Sequence, residues 1–295
     1  MAVNRQSKGA APEPYTLGSV NSSSGATIGY RQLWHGPGIV VLHGAASSGY
    51  NHLQLAEALA EAFTIYLPDR GRGLSDPFGQ DYSIQTEVEN LNALLARTDT
   101  HAVFGVSSGA IILLQAALTL PAIQKVAIYE PPLLVKDPVA GLQHFDEQMA
   151  QGKVAAAMVT AMKAAQMGPP IFNHLPDWLL ERLTAMMMAG EEKNSKGEYV
   201  TMRMLAPTVH YDSQLIVEMA GRLDSFKGIR AEMLLLGGSK SPAYLKAGLD
   251  ALEQILPQAK RVEFSRLGHA ASWNTDRGGQ PETVAQELMR FFTEQ

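Results

Sequence analysis

His101-Ala102-Val103-Phe104-Gly105-Val106-Ser107-Ser108-Gly109-Ala110-Ile111-Ile112-Leu113-Leu114 sets an apolar run, a glycine-flanked serine pair and a second apolar run in immediate succession. The first run predicts a buried strand and the second opens an apolar helix over residues 107–120, so Gly105-x-Ser107-x-Gly109 falls on a strand-to-helix turn. A turn that sharp forces unusual backbone angles on the serine, and the flanking glycines remove side chains that would clash. The Ser107 hydroxyl then stands above the end of the strand, with the N–H groups of the helix start behind it. Ser108 has the same hydroxyl, but one residue into the helix its backbone N–H is the more useful group. A glycine- and serine-rich turn without chemistry has the same letters. The strand before it and the helix after it favour a nucleophile at Ser107.

Outward from this turn the chain alternates. Short apolar runs at residues 38–42, 63–67, 101–104, 125–129, 231–236 and 261–264 are continuous rather than every-other-residue, as in strands buried on both faces. Helix-length segments at about 50–62, 82–97, 107–120, 242–256 and 280–293 lie between or after them. The pattern predicts an α/β fold, a mostly parallel central sheet with helices on both faces. Residues 15–34 read as two antiparallel strands joined by a turn at Ser22-Ser23-Ser24-Gly25. The rhythm breaks between Val135 and Lys227, where helical segments such as 155–167 and 178–188 dominate and ten of the thirteen methionines fall. Methionine fills gaps in any core, but this asymmetry predicts a helical cap over residues 135–228, inserted into a core made of residues 15–134 and 229–295. Its methionines, with Phe145, Phe172, Trp178 and Tyr211, are available to line an apolar pocket, and some of these side chains are expected to be cap core instead.

Composition narrows the field further. The chain has 295 residues and a net charge of −5, which gives a nucleic acid no electrostatic reason to bind. There is no cysteine, so disulfides, thiolate nucleophiles and cysteine-ligated metals are excluded. Met1 to Pro14 lack the apolar core of a signal peptide and no run is long enough to span a bilayer. The expectation is a cytoplasmic protein that binds no membrane; self-association is left open.

An acyl-transfer nucleophile needs donors for the oxyanion of its tetrahedral intermediate. The Ser108 N–H is one. Leu42-His43-Gly44-Ala45-Ala46 ends an earlier strand, and Gly44 lets that loop turn so that the Ala45 N–H is the second. His43 is open to two readings, a second base or a loop anchor, and a histidine at a strand end favours the anchor.

These features together resemble the α/β-hydrolase fold family, in its capped esterase- and lactonase-like branch. The resemblance rests on His43-Gly44, on Asp69-Arg70-Gly71-Arg72-Gly73-Leu74-Ser75 after the next strand, on the Ser107 turn, and on Gly268-His269 near the C-terminus. It implies that His269, in the turn after the last strand, is the base. In much of the family an aspartate follows the penultimate strand, where this chain has Gly238-Ser239-Lys240-Ser241-Pro242. Ser241 has no charge to offer an imidazolium. An alternative seen in zearalenone-lactonase-like members puts the acid one strand earlier, and there the chain has Tyr129-Glu130-Pro131-Pro132. The expected triad is Ser107, Glu130 and His269, working on an ester or lactone of a neutral, largely apolar small molecule through an acyl-enzyme, without metal or organic cofactor. The same residues would also serve acyl transfer to an alcohol, carbon–carbon hydrolysis or cofactor-free perhydrolysis, and a non-catalytic ligand receptor on this fold is the rival outside enzymology.

Overall fold

The computed structural model describes residues 14–34, 36–168, 172, 174–195 and 197–294. Eight strands form one sheet: β1 (Thr16–Asn21), β2 (Thr27–Leu33), β3 (Gly38–Leu42), β4 (Thr64–Pro68), β5 (Ala102–Val106), β6 (Lys125–Tyr129), β7 (Glu232–Gly238) and β8 (Lys260–Phe264). Their order across the sheet is β1-β2-β4-β3-β5-β6-β7-β8. β1 and β2 form the antiparallel hairpin expected from residues 15–34, and β2 runs antiparallel to β4. From β4 to β8 every neighbouring pair is parallel.

Ten α-helices lie among the described residues: α1 (Leu53–Leu59), α2 (Ile84–Thr98), α3 (Ser108–Thr119), α4 (Pro138–Ala150), α5 (Val154–Ala164), α6 (Asp177–Asn194), α7 (Met202–Leu205), α8 (Val209–Met219), α9 (Ala243–Ile255) and α10 (Pro281–Thr293). The segment read as one helix over 50–62 is a 3₁₀ turn at Gly49–His52 followed by α1. The Ser48 N–H donates to the Asn51 side chain at 2.9 Å, which winds that first turn tightly before the α-helix begins. Ser83 caps α2 through its side chain, as a serine just ahead of an apolar-periodic run should.

Side chains alternate across each inner strand and both faces are covered. Val40, Leu42, Val103, Val126, Ile128 and Leu235 join a core with α2, α3 and α9. Ile39, Val41, Phe104, Val106, Tyr129 and Leu236 face the other way, onto α1 and α10. This is why those strands read as unbroken apolar runs. Between β6 and β7 no strand interrupts the helices among the described residues. α4, α5, the 3₁₀ turn at Ala206–Thr208 and the start of α8 share a separate cluster of Phe145, Ala157, Met158, Ala206 and Val209, packed against Ala46. Further along α8, Leu215 and Met219 enter the main core instead, with Phe226 after it.

The chain makes β3, steps to one side for β4, then returns to the other side of β3 for β5. The carboxyl ends of β3 and β5 therefore border the switch point where open α/β sheets form their ligand sites.

Candidate active site

Ser107 follows β5 with φ +56° and ψ −120°, a conformation costly for a residue with a side chain. The close approach around it explains the glycines. A Cβ on Gly109 would lie 2.5 Å from the Leu42 carbonyl oxygen, and one on Gly105 would lie 2.8 Å from the Gly109 backbone. The Ser107 N–H donates to the Tyr129 carbonyl at 2.9 Å, tying the turn to β6. The loop after β3 packs directly on the serine: a Cβ on Gly44 would come within 2.9 Å of the Ser107 Cβ.

Glu130 follows β6 with φ +47° and is wholly buried. Its Oε1 accepts the Gly238 N–H at 2.6 Å, and its Oε2 lies 2.7 Å from His269 Nδ1. The acid and base expected from the sequence thus meet across 139 residues of chain. Gly238 begins the segment where much of the family has its aspartate, and here it supplies an N–H to the glutamate. The Ser241 hydroxyl is buried without a hydrogen-bond partner among the described residues. The turn carrying His269 is fixed by the Tyr129 hydroxyl, which donates to the Gly268 carbonyl at 2.8 Å. Burial, and then Glu130 beside it, pushes the Tyr129 hydroxyl well above its ordinary range, so it stays a donor. With Nδ1–H facing a carboxylate, the His269 Nε2 lone pair is the one left for proton transfer. Among the described residues the Ser107 hydroxyl makes no hydrogen bond to His269.

Ala45 follows Gly44, whose backbone packs on Ser107, and Ser108 opens α3. First-turn N–H groups have no acceptor within their helix, which leaves that of Ser108 free to donate. His43 is an anchor. Its Nε2 accepts the Arg70 N–H at 3.2 Å and its Nδ1 bonds the Gly44 carbonyl at 2.9 Å. Burial, with Arg72 and Arg70 close by, pushes its pKa far below the ordinary histidine value, so it is neutral, as a ring that both accepts and donates must be.

Beneath these loops lies a charged cluster that sequence reasoning missed. Asp212 on α8 accepts from Arg70 Nη2 at 3.0 Å, from Arg72 Nη2 at 2.9 Å and from the Ser108 hydroxyl at 2.7 Å. Glu87 takes Arg70 Nε at 3.1 Å and the Tyr82 hydroxyl at 2.8 Å. Arg70 and Arg72 stand in the quoted Asp69–Ser75 motif, but nothing in the sequence around Asp212 marks it. Of the four aromatic residues expected in the cap, Phe145 is buried in the α4–α5 cluster, Tyr211 packs on Phe78 and Tyr82, Phe172 is half-buried beside Gly168, and Trp178 is exposed. A hollow of ≈ 410 Å³ near Thr27, Asp76, Phe78 and Tyr82 is lined by none of Ser107, Glu130 and His269. Among the described residues no three acidic or histidine side chains are grouped to hold a metal ion, and no helix is long and apolar enough to cross a membrane.

An eight-stranded, mostly parallel sheet, a strained serine at the switch point and a buried acid–histidine pair define the α/β-hydrolase class. The family model for the alpha/beta hydrolase family matches residues 39–287, and the chain belongs to that family. A pimeloyl-[acyl-carrier protein] methyl ester esterase from Xanthomonas axonopodis pv. citri (strain 306) is 26% identical over 267 residues, covering 88% of this chain and 96% of the esterase. Among solved structures, an alpha/beta hydrolase from Sphaerobacter thermophilus DSM 20745 superposes with a TM-score of 0.75 at 28% identity, covering 94% of this chain and 100% of its own. A thermophilic esterase from Thermogutta terrifontis shares the fold, with a TM-score of 0.69 at 14% identity over 94% of this chain and 98% of that one.

Proposed function

We propose that this protein is a serine hydrolase that cleaves carboxylic esters or lactones of neutral, largely apolar small molecules through an acyl-enzyme. The observation that carries the reading is the 2.7 Å pairing of buried Glu130 with His269, beside a serine held at φ +56°. Ser107 Oγ attacks the ester carbonyl carbon while His269 Nε2 takes its proton. The carbonyl π electrons move onto oxygen, and the N–H groups of Ala45 and Ser108 hold that oxyanion. Collapse of the intermediate expels the alkoxide, which leaves with the proton from His269. Water then repeats the attack with His269 as base, releasing the acid and restoring Ser107. Glu130 keeps the proton on Nδ1 and offsets the imidazolium charge at each step.

The insert between β6 and β7 serves as the cap, with the α4–α5 cluster resting on Ala46 beside the reaction centre. The esterase relative supports ester rather than epoxide or peptide chemistry. In Ser107→Ala, fluorophosphonate labelling disappears and p-nitrophenyl butyrate turnover falls by about 10⁴-fold or more with the fold intact. Near-wild-type turnover in that variant would sink the proposal.

A further inference from the structure

We infer that Asp212 is a positioning residue for the oxyanion hole: from a helix outside both oxyanion loops, it holds the two donors in one rigid bracket. The inference rests on the acyl-enzyme reading above.

The connectivity is specific. Asp212 Oδ1 accepts both the Ser108 hydroxyl, at 2.7 Å, and Arg70 Nη2, at 3.0 Å. The same Arg70 guanidinium donates through Nη1 to the His43 carbonyl at 2.8 Å. Asp212 Oδ2 accepts Arg72 Nη2 at 2.9 Å, and Arg72 donates through Nη1 to the Ser47 carbonyl at 3.1 Å. Ser108 bears one oxyanion N–H, and His43 and Ser47 bracket the loop that bears the other on Ala45. A single carboxylate is therefore bonded, directly or through one guanidinium, to both halves of the hole.

Stability alone is a poor reason for this cluster. The Arg70, Arg72, Glu87 and Asp212 side chains are 3%, 2%, 3% and 0% exposed. Charges so deeply buried lose hydration that their mutual attraction only roughly repays, and apolar residues of the same volume often serve stability better. What such a cluster does supply is geometry, because planar guanidinium forks hold carboxylates and carbonyls at fixed angles. Oxyanion donors need that fixity, since they act only when aimed in advance at the developing charge. Two arginines against two carboxylates leave the cluster neutral, so it adds no net negative field beneath the oxyanion. Burial works to raise the Asp212 pKa, but Arg72 and Arg70 hold it below the usual carboxylate range, so the bracket is charged at any working pH.

Ser108 decides the test, because Ser108→Ala removes the bond to Asp212 and keeps the backbone N–H. With p-nitrophenyl butyrate, kcat should fall at least tenfold while KM stays within threefold. Affinity for phenylboronic acid, which forms a tetrahedral adduct on Ser107, should weaken in parallel. Asp212→Asn should lose at least as much, and adding Ser108→Ala to it should cost little more, because both act on one bond. If Asp212→Asn does not fold, the Ser108→Ala result stands by itself. A kcat loss below tenfold in Ser108→Ala, or unchanged phenylboronic acid affinity, overturns the inference. Failure of the underlying reading looks different: the Ser107→Ala variant would then retain turnover.

Discussion

Glu130 is an acid placed where backbone strain and burial both oppose it. It sits at φ +47°, wholly buried, and persists because Gly238 N–H and His269 Nδ1 each claim one of its oxygens. Replacing Glu130 with glutamine keeps the shape but removes the charge opposite the imidazolium, and the amide favours the wrong His269 tautomer. An equivalent change in a well-studied triad costs about 10⁴-fold in kcat. The same steep loss is expected here, with circular dichroism unchanged. A loss smaller than tenfold would take Glu130 out of the triad. Ser241→Ala, by contrast, should leave kcat unchanged, because that hydroxyl has no partner among the described residues.

The elements around Ser107 touch closely enough that a methyl group matters. α3 meets the end of β3 across Gly109, where an added Cβ would lie 2.5 Å from the Leu42 carbonyl and 2.7 Å from that of His43. Both are backbone atoms, so nothing flexible can yield. Gly109→Ala should cost about 1–3 kcal/mol, the usual range for overpacking, read as a lower urea midpoint. Gly44→Ala acts on the neighbouring contact, 2.9 Å from the Ser107 Cβ. Its loop is short and its strain should appear in kcat more than in stability. Equal kcat for Gly44→Ala and wild type would show that the β3 loop does not set the oxyanion geometry.

At the scale of the whole molecule, stability should depend on two neutral, fully buried histidines at the two ends of the segment between β3 and α1. Burial pushes His52 down to about 4, only partly offset by its bond to the Ser272 carbonyl. Burial and the neighbouring arginines push His43 down as well. As pH falls below about 6.5 the unfolded chain binds protons at both rings, while native His52 resists until near pH 4. The unfolded state therefore holds more protons across that window, and the free energy of unfolding falls as the pH falls. His52 alone accounts for a loss of about 3 kcal/mol by pH 4. Urea denaturation at pH 7, 5.5 and 4 measures it, and His52→Gln should flatten the slope. An unaltered slope in that variant would remove His52 as a cause.

Much of this protein was legible in consecutive residues. Strand and helix alternation, the turn at Ser107 and the placement of His269 and Glu130 at strand ends depend on periodicity and on glycine, which act over a few residues. The helical insert was legible for the same reason, as an absence of strand pattern between residues 135 and 227. Which neighbours Phe145, Trp178 and Tyr211 meet was not, because apolar character marks a residue for burial or contact without naming its partner. Only the folded sheet brings Glu130 to His269 across 139 residues, or Asp212 to Ser108 across 104. A carboxylate on a helix looks the same in sequence whether it faces solvent or two arginines. Its role is decided by which elements the strand order and core packing bring against it, and local sequence does not contain that.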